Sequence, residues 1–189
     1  MFKNILALIG ALVIVAGIGG YVKMGSKVMG LDDGALPAYM AMFDKVLETG
    51  DPANAMMKEF KVEDDVTNDD VGESVHALAE EYNMRITGDI KMFTKDDAKP
   101  NEVKHARIFS LCSLHIAKVF LNHSRYFGGF MPCRIMLVEY GNGERYLVTM
   151  DLELAIHGGE PLGKEMLELA TKVQVAMTEI PARAAKGDF

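Results

Sequence analysis

The sequence contains no tryptophan and only two cysteines, Cys112 and Cys133, in 189 residues. Two thiols cannot staple a disulfide scaffold, so folding has to rest on an apolar core. Positive charge is also short: 20 basic residues stand against 27 acidic ones, and the formal net charge is −7. An acidic surface repels phosphate backbones, which argues against a nucleic-acid partner. No C-x-x-C-H occurs, which excludes covalent c-type haem attachment along this sequence and leaves any cofactor unknown. There is no G-x-S-x-G, no glycine-rich phosphate loop, and no H-E-x-x-H among His76, His105, His115, His123 and His157. The common signatures of hydrolases, nucleotide enzymes and zinc proteases are therefore missing, and an enzyme is not the expected reading.

What is present begins at the N-terminus. From Ile5 to Val22 the chain reads ILALIGALVIVAGIGGYV, without a charge. As a helix this run would extend roughly 27 Å, close to a bilayer's hydrocarbon thickness. Lys3 on one side and Lys23 and Lys27 on the other stand where amines reach headgroups. A cleaved signal peptide is the competing reading, but the run exceeds a signal core and no A-x-A-like site follows it. The expectation is a single-pass anchor over residues 1–23 in a bacterial inner membrane, with the main domain in the periplasm. Gly10 and Gly17 are seven residues apart, and small residues on such a helix let a second membrane helix approach. Small residues are also ordinary in any membrane helix.

Residues 24–56 read as a Gly-rich linker followed by an amphipathic helix. Leu36, Met40, Phe43 and Leu47 recur at helical spacing, and Gly50-Asp51-Pro52 ends the pattern. This helix has an apolar face with no partner in its own segment. It needs the main domain, a bilayer surface or another chain. Six of the 14 methionines lie between residues 24 and 57. Thioethers bind Cu(I), and Met40-x-Met42 has spacing seen in copper-handling segments, but two residues two apart lie on different helix faces. Interface packing explains the methionines better.

Residues 57–189 carry the periodicities of one α+β domain. Lys58 to Val62 alternates as a short strand, and Thr67 with Asp70 forms a capping-box-like start for a helix to Tyr82. The acids around that start fail the EF-hand pattern, since Val66 takes a ligand position and the required glycine is missing. Strands are expected over 84–93, 105–112, 134–140 and 144–150, the last two flanking the Gly141-Asn142-Gly143 turn. Helices are expected over 114–122 and 162–180. Gly128 and Gly129 read as a break in the chain before Met131-Pro132-Cys133. This order predicts a mainly antiparallel sheet with helices on one face.

The segments FSLCSLHIAKVFL and FGGFMPCRIMLVEYGNGERYLVTMDLELAIHGG, with the tail AKGDF, resemble the bacterial and archaeal domain-of-unknown-function 302 family. The resemblance covers residues 57–189, and Met131-Pro132-Cys133-Arg134-Ile135 is its most specific piece. It implies a compact β-α-β-β-β-β-α domain, similar in topology to one TATA-binding-protein repeat, that dimerises. It implies no activity. Many relatives have a proline soon after the strand-end cysteine, whereas Ser113, Leu114 and His115 follow here.

Two function classes follow. In the first, the chain is a membrane-tethered accessory or binding protein. It forms a homodimer or docks on a larger membrane complex, with Gly10, Gly17, Met40 and Phe43 as partner-binding residues. In the second, Cys112, Cys133 and His115 converge as a redox or soft-metal site. His123 is then a further candidate ligand, and Arg134 is placed to lower a thiolate pKa. The thiols could instead be packed and free, or form a disulfide in an oxidising compartment. Asp151 and Glu153 form a weaker candidate pair, expected to alternate along a strand.

Overall fold

The computed structural model describes residues 13, 14, 17, 19, 25 and 27–189. Apart from residues 13, 14, 17 and 19, the expected span over 5–22 lies outside the described residues, and so does Gly10. Among the described residues, no helix is long and apolar enough to cross a membrane.

The chain runs α1 (Ala35–Thr49), α2 (Pro52–Ala55), β1 (Met57–Lys61), α3 (Asn68–Glu81), β2 (Arg85–Thr94), β3 (Val103–Cys112) and α4 (Leu114–His123). It continues through a 3-10 turn (Arg125–Phe130), β4 (Cys133–Tyr140), β5 (Arg145–Met150), α5 (Glu153–His157) and α6 (Lys164–Ala184). The strands form one five-stranded antiparallel sheet in the order β1-β5-β4-β3-β2. The α+β class expected from the sequence is what the chain adopts.

Local chemistry explains the boundaries. The Thr67 hydroxyl accepts from the Asp70 N–H at 3.1 Å, and the Asp70 carboxylate accepts from the Thr67 N–H at 2.8 Å. The capping box is thus closed in both directions, and the Thr67 hydroxyl holds the Asp70 carboxyl below the usual range. At the other end of α1, Gly50 takes φ 68° and its N–H returns to the Val46 carbonyl at 2.8 Å. Left-handed backbone there favours glycine.

Three expectations change. The segment with Gly128 and Gly129 is a 3-10 turn, because the Ser124 side chain caps it and Phe127 packs edge-on against Phe120 at 5.0 Å. Asp151 and Glu153 do not alternate along a strand: β5 ends at Met150, and Glu153 opens α5, its N–H donating to Asp151 Oδ1. The last helix passes through Pro181 to Ala184. Proline forfeits a helical hydrogen bond, but Ile180, Pro181 and Ala184 are all buried, so core packing outweighs that loss.

Helices α3 and α6 seal one face of the sheet. Val71, Val75 and Leu78 from α3, and Met177 and Ile180 from α6, meet Phe109, Leu111, Ile135, Leu137 and Leu147. Gly72 lets α3 approach closely, since a Cβ there would collide with the Arg107 guanidinium. A second, smaller cluster around Phe120, Ile156 and Ala170 joins α4, the 3-10 turn, α5 and α6.

Candidate functional site

Side chains alternate across a strand, so the residues between the core positions point to the opposite face. Here that face is apolar as well. The register aligns Ile90, Ile108, Met136 and Val148 in one row across four strands. Phe93, Ala106, Val138 and Tyr146 form the adjacent row. Ile90 is 57% and Phe93 48% exposed, while Ile108, Met136, Val138 and Val148 are half-buried. An antiparallel sheet with one solvated face usually alternates apolar and polar residues; this one presents hydrophobic rows on both faces.

At one end of this open face α1 adds a wall. It is tied to the domain by a hydrogen bond from the Tyr39 hydroxyl to the Gly158 carbonyl and by Asp32, whose Oδ1 lies 2.9 Å from His157 Nδ1. Asp32 also accepts from the Gly34 N–H at 2.8 Å. The segment before α1, read from sequence as a linker, is therefore fastened to the domain from Asp32 onward. Ala35 and Ala38 are buried against it. Leu36, Met40, Phe43 and Leu47 lie elsewhere on the helix and are 63%, 50%, 54% and 68% exposed. Spacings of four, three and four put them in one stripe. Met42, by contrast, faces a cavity shared with Met56, Met57 and Met150. Gly17 is described and exposed, with no atom of the described residues within 4 Å of where a Cβ would sit.

The cysteine candidates sit at the same end of the sheet. Cys133 is the ladder partner of Leu111, and Cys112 is that of Arg85. Both thiols are free. Burial pushes the Cys133 thiol up to about 11, with Cys112 adding to the shift, and burial raises Cys112 as well. Arg134 is exposed, and its influence on Cys133 is weaker than burial. His115 is exposed on α4 and lines a cleft with Glu81, Ser113 and Lys172, whereas Cys133 lines two other cavities. His123 is exposed beside Phe127. Among the described residues, no three His, Cys, Asp or Glu side chains gather as a metal site.

Two polar clusters escaped the sequence reading. Arg107 grips Asp89 through two hydrogen bonds of 2.7 Å, with His76 Nε2 2.8 Å from the same carboxylate. The Arg107 contact holds the Asp89 carboxyl down at about 2. Arg107 also lies 4.7 Å above the Phe109 ring. Near the start of α3, Asn68 and Lys104 both donate to Glu139, at 2.6 and 2.9 Å. His105, paired with Glu139 across the ladder, is 7% exposed, and its burial lowers its pKa. Its Nδ1 meets the Thr94 hydroxyl at 3.0 Å. No spacing motif announces either cluster, because its members come from different elements. Apart from the Thr94 hydroxyl against His105, which links β2 to β3, neither sets a nucleophile beside a base, and both read as ties between α3 and the sheet.

Comparison with known proteins bears on the whole domain. A family model described as "Domain of unknown function DUF302" matches residues 59–183. No curated protein matches the sequence. A crystal structure of an uncharacterized conserved DUF302 protein from Bacillus stearothermophilus is similar with a TM-score of 0.52 and 12% identity, covering 68% of this chain and 98% of that one. At that identity the likeness speaks for the fold alone.

Proposed function

The chain belongs to the DUF302 family, and we propose that it is a membrane-tethered accessory protein that docks on a partner through α1. The carrying observation is the stripe Leu36, Met40, Phe43 and Leu47, each at least half exposed on a helix whose alanine side is already seated on the domain. Water-facing rows of large apolar side chains mark interaction sites when they are contiguous. Spacings of four, three and four repeat the a/d pattern by which one helix packs along another. The apolar run over residues 5–22 precedes α1 closely, so a membrane protein is the natural supplier of that second helix. Gly10 and Gly17 would extend the contact into the bilayer. The periplasmic setting of the domain is part of the same proposal.

The open sheet face supplies the surface for the homodimer that the family resemblance implies. The redox or soft-metal alternative has Cys133 and His115 lining different cavities, and burial favours the protonated Cys133 thiol when no metal is bound.

Blue-native electrophoresis of gently solubilised membranes tests the reading. The expected result is migration of the full chain in a species larger than its monomer. A monomer alone would overturn it.

A further inference from the structure

Docking through the outer stripe of α1 leaves the inner side of that helix, and the hollow beneath it, unused. Two adjoining cavities, of about 180 and about 420 Å³, share Met57, Phe130 and Met150 in their walls. Together they form one groove that runs from the end of the open sheet face, past Met136 and Val148, to the space beneath Met42 of α1. Ligand sites for small molecules are typically apolar concavities of roughly 300–1,000 Å³ with few polar groups. The walls here are mostly thioether and hydrocarbon, and Met side chains adapt to flexible apolar guests.

The two ends differ in charge. The sheet end holds Arg134, which is exposed and makes no ion pair among the described residues. The α1 end is balanced: Asp151 lies 3.7 Å from the Lys58 ammonium, Glu153 accepts from the Gln174 amide at 2.8 Å, and Lys45, whose ammonium lies 3.4 Å from the Met57 carbonyl, lines the same cavity. An anionic group meets charges already matched at the α1 end and, at Arg134, a guanidinium unpaired among the described residues, which can hold a carboxylate with two hydrogen bonds. We infer that the groove binds a single long-chain fatty acid, its carboxylate on Arg134 and its tail along Met136, Met150 and Met57 toward α1. This inference stands apart from docking through the outer stripe of α1, and it shares Met136 and Val148 with the open face assigned to the homodimer.

Photolabelling of the full chain in membranes with a diazirine-bearing palmitic acid tests it. Label is expected on peptides containing Met57, Met136 or Met150. Unlabelled palmitate should suppress it at about tenfold lower concentration than hexadecanol, the loss of one charge-assisted pair being worth roughly that factor. Arg134→Gln should erase the difference between the two competitors while the groove peptides still take label. Label confined to peptides outside the groove would overturn the site. Equal competition by palmitate and hexadecanol on the native chain, or a preference for palmitate that survives Arg134→Gln, would overturn the assignment of the carboxylate to Arg134. Met136→Gln supplies a second variant. It adds an amide in mid-groove, and is expected to weaken labelling overall while palmitate keeps its advantage over hexadecanol. Undiminished labelling of that variant would overturn the path of the tail past Met136.

Discussion

The two faces of the sheet are built from the same kinds of residue and lead different lives. On the face under α3 and α6, Phe109, Leu111, Ile135, Leu137 and Leu147 are each 0% exposed. On the other face, Ile108, Met136, Val138 and Val148 are half-buried, and the two rows end on Ile90 and Phe93 at about half exposure. Hydrophobicity alone does not distinguish them. What distinguishes them is whether a helix of the same chain covers them. The sealed face supplies stability, and the open face keeps apolar surface available for something else to cover. Branched and aromatic residues supply most of both faces. Methionine is prominent on the open side at Met57, Met136 and Met150, where flexibility accommodates a guest or a partner.

Neighbouring residues give the sharpest test of that contrast. Ile135→Ala opens a cavity among fully buried side chains and should cost about 3 kcal/mol, within the range for large-to-alanine core changes. Met136→Ala, one residue on and facing the other way, should cost less than about 1 kcal/mol. Chemical denaturation of both variants, with the native chain as reference, measures the two values. Equal losses would mean that the open face is as well packed as the sealed one, and the contrast would fail.

A second test concerns the polar clasp between α3 and the sealed face. Asp89 is held at about 2 by Arg107, below its ordinary value of 3.8. A carboxyl with a depressed folded pKa contributes stability that is complete above the unfolded pKa. The contribution is lost as pH falls from about 3.8 through about 2. Taken whole, such a shift corresponds to about 2 kcal/mol, and solvent screening at the rim of the sheet reduces it to about 1 kcal/mol. Asp89→Asn should therefore lower stability at pH 6 and make little difference at pH 2. Denaturation midpoints of both proteins at the two pH values decide it; a gap that persists at pH 2 would assign the effect to shape instead of charge.

Most of the sheet was legible in the sequence. Alternation in residues 105–112 and 134–140 reports the strands, and Gly141-Asn142-Gly143 reports the hairpin between β4 and β5. Thr67 and Asp70 announce the start of α3 because capping is local chemistry. The clasp was not legible: Asp89 and Arg107 meet only through strand register, and His76 reaches them from a helix. Nor was the shape of residues 151–157, where Asp151 and Glu153 match a strand's alternation but the Asp151 side chain turns the chain into α5. For the candidate site, periodicity picked out Met40 and Phe43 on one stripe. Which side of α1 faces the domain depended on Ala35 and Ala38, small residues that a hydrophobic pattern ranks low. The state of the thiols was hidden for a similar reason: strand-end positions are readable, but the burial that keeps Cys133 protonated comes from α4, α5 and α6.

The smallest expected change in stability carries the most about function. Met40→Ser with Phe43→Ser removes two large side chains from the exposed stripe of α1 and touches none of the residues that seat the helix on the domain. Side chains already at least half in water lose little on truncation, so the folded chain should shift by no more than about 0.5 kcal/mol. Binding is a different matter. If a partner's helix packs along Leu36, Met40, Phe43 and Leu47, these are central anchors, and truncating such anchors commonly costs over about 2 kcal/mol of affinity, or more than tenfold. The double variant should then melt with the native chain and run as a smaller species on a blue-native gel. If it stays in the same assembly, the stripe is not the docking surface, and the open face of the sheet, still apolar and uncovered by any helix among the described residues, becomes the place to search for the contact.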